Sequence, residues 1–310
     1  MANVLKREKQ ILVLQHLIEG NTIRSTERLT GVHRDTIMRT LVRFGESSER
    51  FLNSRIVNVK TDHVELDETW TWVGKKDKRL TKAERDRDDL GSQYLFLGIC
   101  AKSKLIVSHV VGKRNGETTR EFVDDLSRRV WLTPDRTSDQ RPQLSTDGWS
   151  SYYPAIREAF TGTVRHGVII KNYSDPEVGR YAPPELNRAR RFSINGIKEL
   201  WTVCTSHIER FNLTVRTFLK RFTRLALGFS KKLDNLKASV SAFIAFYNFC
   251  WRTRHKGNSG KLRPTAAMMA GLTDRLWSFT DLFDAVQAAE KDRKSNERYA
   301  RLAAKLAERN

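Results

Sequence analysis

Hydrophobic positions in the first 50 residues recur every three or four residues, which is the spacing of amphipathic helices. One such run, LKREKQILVLQHLIEG, stops at Gly20, and Asn21 and Thr22 can cap the next helix. In the segment TIRSTERLTGVHRDTIMRTLVRF that follows, Gly31 stands where a helix-turn-helix needs a residue that tolerates a left-handed conformation. The pattern predicts three helices that form a helix-turn-helix DNA-binding domain over residues 1–50.

The last helix of this predicted domain has one apolar face and one polar face. Ile37 and Leu41 form its inner stripe, four residues apart. An ordinary helical hairpin with a solvated basic face has the same pattern, and Glu27 occupies a position where the motif usually has a small residue. In the DNA-reading interpretation, the side chains that face DNA are Arg34, Thr36, Arg39 and Arg43.

From about residue 61 the hydrophobic period changes from helical to alternating. The segment DHVELDETWTWV predicts a strand, and QYLFLGICAKSKLIVSHVVG predicts two strands joined by a tight Lys-Ser-Lys turn. GETTREFVDDLSRRV and SSYYPAIREAF predict helices, and PQLSTDGW and TVRHGVIIKNY predict the strands that follow them. Three consecutive strands and then alternating helices and strands indicate an α/β fold with a mixed sheet flanked by helices.

The net charge of the chain limits the classes of partner that it is expected to bind. The 310 residues include 56 Lys and Arg against 36 Asp and Glu, a net charge of +20, which calls for a polyanion: nucleic acid or an anionic membrane. The N-terminus MANVLKREKQ lacks the apolar run of a signal peptide, and the longest apolar run, around SAFIAFYNFCW, is too short to span a bilayer. We therefore expect a nucleic acid partner and no membrane.

The cysteines indicate the compartment. Cys100, Cys204 and Cys250 are isolated in the sequence, which fits neither a disulfide framework nor the paired spacing of a structural zinc site. We expect three buried thiols in a reducing cytoplasm.

Two acidic positions interrupt the predicted sheet. Asp67 projects from the face of the first strand opposite Val64 and Leu66, and strict alternation puts its neighbour Glu68 on the apolar face. A carboxylate inside so apolar a strand is costly unless it is paired or binds metal, although a bulge or an exposed edge would also accommodate it. Asp147 ends the strand QLSTD before a glycine, which suits both a turn and a ligand site at the end of a strand.

A third acid begins the segment SHIERFNLTVRTFLKRFTRLALGFSKK. Read as a helix, this segment buries an aromatic stripe that includes Phe211 and Phe218, and turns Glu209 to the opposite side. Ser206 followed three residues later by Glu209 also matches a capping box. Capping alone therefore explains Glu209 unless other residues join it in a site.

Together the segments VELDETWTWVGKK, LSTDGWSSY, SHIERFNLTVRTFLKRFTRLALGFSKKLDN, FYNFCWRTRHKG and RPTAAMMAGLTDRLWS resemble the transposases of the insertion-sequence-one family. Those are Asp-Asp-Glu enzymes with an RNase H-like catalytic core. The resemblance covers roughly residues 20–280 in the same order, and HIERFNLTVR is its most specific part. It implies Asp67, Asp147 and Glu209 as the catalytic acids, with Arg216 at a position where this enzyme class commonly carries a basic residue.

Such an enzyme cuts at the ends of a mobile element and joins the freed 3′-hydroxyls to target DNA. The chemistry favours two Mg²⁺ ions per site, with Mn²⁺ able to substitute, because carboxylates are the hard oxygen ligands that these ions prefer. Asp67 would bridge the two ions, Asp147 would hold one and Glu209 the other. Family members often carry a cysteine zinc ribbon ahead of the helix-turn-helix, but no cysteine precedes Cys100 here, so we do not expect zinc.

The same interpretation assigns domains and partners. We expect a linker at 51–60, a catalytic domain at 61–256 with an insertion at 172–205, and a C-terminal helical extension at 257–310. The partner is double-stranded DNA, at the element's terminal repeats and at the target, bound by at least a dimer in the bacterial cytoplasm at the nucleoid. The alternatives are an RNase H-like nuclease and a non-catalytic DNA-binding regulator. Beyond the helix-turn-helix, the predicted DNA contacts are Arg216, Lys220, Arg221, Arg224, Lys231 and Lys232.

Overall fold

The chain divides into two compact units, Met1–Ile56 together with Arg216–Asn310, and Val57–Val215. The computed structural model describes residues 5–132, 137, 140–174, 185–223, 227–253 and 262–307, with the side chains of residue 185 and of residues 296–307 outside the description. We call the first unit the helical unit and the second the sheet unit.

The sheet unit is built on six strands in the order β3-β2-β1-β4-β5-β6. β1, β2 and β3 pair antiparallel, β4 and β5 run parallel to β1, and β6 pairs antiparallel with β5 at the edge. Three antiparallel strands followed by two parallel ones form the RNase H-like arrangement, so the predicted fold class is confirmed. The strands are β1 (His63–Val73), β2 (Gly91–Cys100), β3 (Ile106–Gly112), β4 (Gln143–Thr146), β5 (Arg165–Ser174) and β6 (Glu185–Asn195).

Helices cover this sheet at the predicted positions. Phe122 on the second of them packs on Phe96 of β2, with ring centroids 5.8 Å apart. The close approach depends on Gly98, because a Cβ there would lie 3.2 Å from Leu66 and 3.5 Å from Leu126. The helices are α4 (Lys82–Arg85), α5 (Gly116–Arg129), α6 (Tyr152–Phe160) and α7 (Ser206–Phe218), and the division between the units falls within α7.

The helix-turn-helix forms as the sequence predicts. Gly31 ends its first helix in the left-handed conformation, with φ of 68°, and Val32, Ile37 and Leu41 are buried. Glu27 has a structural role here, because its carboxylate accepts a 2.8 Å bond from the Arg34 amide and so caps the second helix. The three N-terminal helices are α1 (Arg7–Ile18), α2 (Ile23–Thr30) and α3 (Arg34–Arg55).

The N-terminal helices share one core with the C-terminal helices. α3 runs five residues beyond the predicted domain boundary at residue 50, and these helices form one compact unit with α8 (Leu233–Phe249), α9 (Ala266–Met269) and α10 (Phe279–Ala307). Phe44 stacks on Phe283 at 5.7 Å, and Phe51 contacts Phe249 at 5.2 Å. The helix α3 and the C-terminal helices therefore stabilise one another.

The prediction of one helix over residues 206–232 is wrong beyond Phe218. Leu219 is extended, with φ of −94° and ψ of 97°, and a 3₁₀ turn at Lys220–Phe222 follows. This break buries both Leu219 and Phe222, at 6% and 1% exposure. The chain thus changes direction after Phe218 and still buries its apolar residues. The free energy of burying Leu219 and Phe222 favours this break over a longer helix.

The predicted insertion at 172–205 is partly sheet. β5 continues to Ser174, and β6 returns beside it from Glu185. β6 mixes apolar and basic residues without regular alternation, so its sequence does not carry the period of a half-buried strand.

The predicted apolar run SAFIAFYNFCW lies mostly in α8, where Val240, Phe243 and Ile244 are buried in the core of the helical unit. Within the described ranges, none of the helices combines the length and the apolar character that crossing a membrane requires. The three cysteines are free thiols; Cys100 is buried as predicted, but Cys204 and Cys250 are partly exposed.

We predict that Gly45→Ala strongly destabilises the helical unit. A Cβ at Gly45 would lie 2.1 Å from the Ala238 carbonyl oxygen, a backbone atom that moves only if α3 and α8 separate. We expect a loss of roughly 3 kcal/mol or more in the free energy of unfolding, measured by urea denaturation. Gly116→Ala at the start of α5 is the matched control, because its Cβ would meet open space and alanine favours helix. Equal midpoints for both variants would contradict the packing described here.

Candidate active site

Two aspartates lie side by side because β1 and β4 are parallel neighbours. Their register pairs Glu65 with Ser145, so two residues further along both strands Asp67 and Asp147 face the same side of the sheet. Asp147 also accepts a 2.9 Å bond from the Trp149 amide, which is the turn that the Asp-Gly sequence predicts. Turn formation and site formation are therefore compatible at Asp147.

Glu68 is a third carboxylate at the same place. Asp67, Glu68 and Asp147 each offer an oxygen, and these three oxygens lie within 4.8 Å of one another. The Glu68 side chain is only 3% exposed, and its Oε1 is buried without a hydrogen-bond partner in the structure. The sequence pattern alone did not distinguish Asp67 from Glu68, and in the structure both lie beside Asp147. We call Asp67, Glu68 and Asp147 the carboxylate cluster.

The carboxylate cluster is electrostatically strained. Burial, and then the charges of Glu68 and Asp147, raise the pKa of Asp67 to about 8. Burial and Asp147 raise the pKa of Glu68 to about 7. Burial, followed by the Glu68 carboxyl, also raises the pKa of Tyr152 well above its usual value.

This donor set fits hard divalent cations. The three offered ligands are all carboxylate oxygens, which suit Mg²⁺ and Mn²⁺ better than softer metals. The unpartnered Oε1 of Glu68 has lone pairs to offer, and positive charge at the cluster would relieve the repulsion among its members.

Glu209 lies outside the carboxylate cluster as the structure has it. Its Oε1 accepts a bond from Lys171 on β5 and a 2.6 Å bond from the Thr205 hydroxyl. Its charge still contributes to the raised pKa of Asp67, so it is within electrostatic range of the cluster. The structure therefore brings two of the three predicted acids together and holds the third on a neighbouring lysine.

A residue that the sequence analysis missed, Glu65, positions the helix that carries Glu209. Glu65 is fully buried on β1, and its Oε2 accepts bonds from the amides of His207 (2.8 Å) and Ile208 (3.0 Å) at the start of α7. Its Oε1 is 2.6 Å from Nδ1 of His207. These amides would otherwise lack partners, and the carboxylate also complements the helix dipole. Glu65 therefore caps α7 through space, in a role that the sequence assigned to the local pair Ser206 and Glu209.

Asn212 is a second residue that the sequence analysis missed. Its Nδ2 donates a 2.8 Å bond to Oδ2 of Asp67, which holds one rotamer of that carboxylate. Asn212 follows Glu209 by three residues, so both lie on one side of α7. That spacing was the available signal for Asn212, and the alternation of Glu65 with Asp67 along one strand face was the signal for Glu65.

The predicted DNA-binding residues differ in accessibility. Arg34, Arg39 and Arg43 are exposed and Thr36 is half-buried on α3. Among the basic residues of the helical unit outside the helix-turn-helix, Arg216 is half-buried, whereas Lys220, Lys231 and Lys232 are exposed. Arg224 lies outside the described residues.

Arg221 is engaged internally. Its guanidinium donates a 2.8 Å bond to the Ser230 hydroxyl and lies 3.8 Å from the sulfur of Met38. Burial lowers the pKa of Arg221 to about 10. This environment is that of a packed side chain rather than a surface contact.

We predict that Asp67→Asn stabilises the protein in the absence of metal. A carboxyl whose pKa is raised by folding binds more protons folded than unfolded, so its contribution to stability falls as pH rises from about 4 through about 8. The amide removes one buried charge and should raise the melting temperature in EDTA at pH 8.5 more than at pH 5.5. Thermal unfolding at both pH values tests this. A lower melting temperature for the variant at pH 8.5 would contradict the strain described here.

Comparison with known proteins finds a relative among curated proteins, and no family model matches the chain. The chain is 24% identical over 185 residues to the insertion element iso-IS1n protein InsB of Shigella dysenteriae, a match that covers 60% of this chain and 95% of that protein. A solved piggyBac transposase synaptic complex with hairpin DNA aligns over 92% of this chain and 71% of its own, with 9% identity and a TM-score of 0.41, which is too low to support an argument. The match to InsB confirms the resemblance to the insertion-sequence-one transposases that the sequence motifs indicate.

Proposed function

We propose that this protein cuts DNA at the ends of a mobile element and joins the freed 3′-hydroxyls to target DNA by two-metal phosphodiester transfer. The observation that carries the proposal is the side-by-side placement of Asp67 and Asp147 by β1 and β4, with Glu68 completing the carboxylate cluster. The net charge of +20 supports DNA as the partner.

Asp67 and Asp147 would hold the divalent cations, with Mg²⁺ the proposed ion and Mn²⁺ a substitute. When bound, such ions polarise phosphoryl oxygens and lower the pKa of a water or hydroxyl nucleophile. Asn212 fixes the orientation of Asp67, and the Trp149 amide fixes that of Asp147. Preorganisation of both carboxylates is what the protein supplies before substrate arrives.

Glu209 is the proposed third acid. Because α7 is anchored by Glu65 at its first turn, the Glu209 backbone is held while its side chain is free to change rotamer. Leaving Lys171 and Thr205 would let its carboxylate join the cluster, at the cost of one ion pair whose members are 19% and 44% exposed. The partial exposure of Glu209 weakens this ion pair, so metal binding can compensate for its loss.

The two reaction steps balance without a covalent enzyme intermediate. In the first, the oxygen of water bonds to phosphorus, the bond from phosphorus to the 3′-oxygen breaks, and the water proton passes to solvent as the 3′-hydroxyl forms. In the second, that 3′-hydroxyl bonds to a target phosphorus and displaces a target 3′-oxygen, which takes up a proton. The carboxylate cluster serves both steps because each is an in-line displacement at phosphorus.

DNA recognition is proposed for the exposed face of α3. Arg34, Arg39 and Arg43 are available for base edges and phosphates. Residues 206–256 contain eleven Lys or Arg and two acids, which suits a surface that follows the DNA backbone. Since DNA is the substrate, we propose that the protein works in the cytoplasm at the nucleoid.

We predict that Asp67→Asn and Asp147→Asn each lower Mg²⁺-dependent DNA cleavage by about a thousandfold or more while DNA binding is retained. Glu158→Gln on α6 is the control, because this exposed acid pairs with Arg120 away from the cluster. Cleavage of duplexes taken from the DNA that flanks the coding sequence, beside a mobility shift, provides both measurements. Cleavage near the wild-type rate by either aspartate variant would contradict the proposal.

Glu209→Gln and Glu68→Gln decide the third ligand. If Glu209 moves into the cluster, Glu209→Gln should abolish cleavage. If Glu68 is the ligand in its place, Glu68→Gln should be inactive and Glu209→Gln should retain activity. Binding of Mn²⁺ by both variants, measured by electron paramagnetic resonance, separates loss of metal from loss of chemistry.

We predict that Arg39→Ala with Arg43→Ala weakens binding to element-end DNA by tenfold or more, and binding to random DNA less. Arg55→Ala is the control, because Arg55 is also exposed on α3 but lies about 24 Å along the helix from Arg39. Point substitutions are used because deletion of residues 1–50 would remove part of the core that they share with α8 and α10. Equal weakening on both DNAs would make this face a non-specific anchor.

We also propose that at least two protomers act together, because two element ends must be joined to one target. Mixing Asp67→Asn protein into wild type should lower activity more steeply than the fraction of inactive protein. A joining assay with pre-cut ends separates this enzyme from a nuclease, which would cleave and not join.

A further inference from the structure

Arg114 lies against the carboxylate cluster but was not singled out by the sequence. It sits between the end of β3 at Gly112 and the start of α5 at Gly116. Its Nη2 is 3.4 Å from Oε2 of Glu68 and 3.4 Å from Oδ2 of Asp147. One guanidinium nitrogen is therefore shared between two members of the cluster.

Aromatic rings hold this guanidinium in place. Its central carbon lies 4.4 Å from the ring centroid of Trp149 and 5.8 Å from that of Tyr94. Trp149 is fixed by a 3.0 Å bond from its Nε1 to the Thr119 hydroxyl on α5. The loop of Arg114 is fixed too, because the side chain of Asn115 accepts the Thr118 amide at 2.9 Å and caps α5.

The contacts to the carboxylates are the weak part of this arrangement. Distances of 3.4 Å are at the long limit for charge-assisted hydrogen bonds, which are normally 2.7–2.9 Å. Glu68 and Asp147 have less negative charge to share with Arg114 once they neutralise a divalent cation. The aromatic contacts do not depend on that charge and keep the guanidinium beside the cluster.

We propose that Arg114 is a catalytic residue that contacts the phosphate undergoing transfer, an assignment that rests on the proposed function. A phosphate bound through a divalent cation at the carboxylate cluster would lie within reach of a guanidinium that already approaches Glu68 and Asp147, and the planar fork suits phosphate oxygens. Arg114 donates hydrogen bonds to the non-bridging oxygens as their charge grows, and neither gains nor loses a proton.

The test combines Arg114→Ala, Arg114→Lys and the control Arg120→Ala, whose arginine is paired with Glu158 on the surface. Two measurements are made on the full chain: single-turnover nicking of supercoiled plasmid, and Mn²⁺ binding without DNA by electron paramagnetic resonance. We expect Arg114→Ala to nick about a hundredfold more slowly and Arg114→Lys to recover part of that loss. Mn²⁺ binding should be unchanged or tighter in Arg114→Ala, because removing a competing cation does not weaken the carboxylates, and unchanged in Arg114→Lys, which keeps the positive charge.

Nicking by Arg114→Ala within threefold of wild type overturns the inference. So does Mn²⁺ binding that weakens in parallel with nicking, because that result assigns Arg114 a structural role. Arg114→Lys keeps charge and stem, and decides the matter if the alanine variant does not fold. A wild-type protein that nicks with no divalent cation at all overturns the proposed function and this inference together.

Discussion

Repulsion among buried carboxylates is the constraint on which the sheet unit depends. The parallel register of β1 and β4 places Asp67 beside Asp147, and the chain adds Glu68 to the same edge. Such a concentration of like charge has to be balanced, and the surroundings of the cluster supply the balance. Asn212 donates to Asp67, the Trp149 amide donates to Asp147, and Arg114 approaches two of the three acids. The unfavourable free energy of this repulsion is typical of strain stored at a preformed site.

Basic side chains form ion pairs with each of these groups of acids. Lys171 holds Glu209, and Arg114 approaches Glu68 and Asp147, so each group of acids has a cation from a different element. Asp147 and Glu209 are partly exposed in these pairs, whereas Glu68 is buried, so the solvent weakens the pairs of Asp147 and Glu209 more than that of Glu68. These cations hold the acids in place in the structure described here.

Most of the sheet could be predicted from the sequence, because its signals are local. Alternation marks β1, the Lys-Ser-Lys turn joins β2 to β3, and the short strand β4 is followed by the turn residues Asp147 and Gly148. Once the strand order is known, register alone places Asp67 near Asp147. Glu65 shares a strand face with Asp67, but its capping role could not be assigned in this way, since its partners at His207 and Ile208 are more than 140 residues away and only the folded chain brings them together. The prediction that α7 continues beyond Phe218 failed for a related reason. Burial of Leu219 and Phe222 outweighs local helix propensity.

The shared core of α3 and α8 has a consequence for synthesis on the ribosome. The three N-terminal helices emerge first, but the surface of α3 around Gly45 finds its partner backbone at Ala238 only after the whole sheet unit has been made. During translation the N-terminal helices therefore remain incompletely packed, with part of their apolar surface exposed, until the residues after the sheet unit have been synthesised. A prematurely terminated chain would then lack a stable α3, so truncated products of the gene should not accumulate as folded protein.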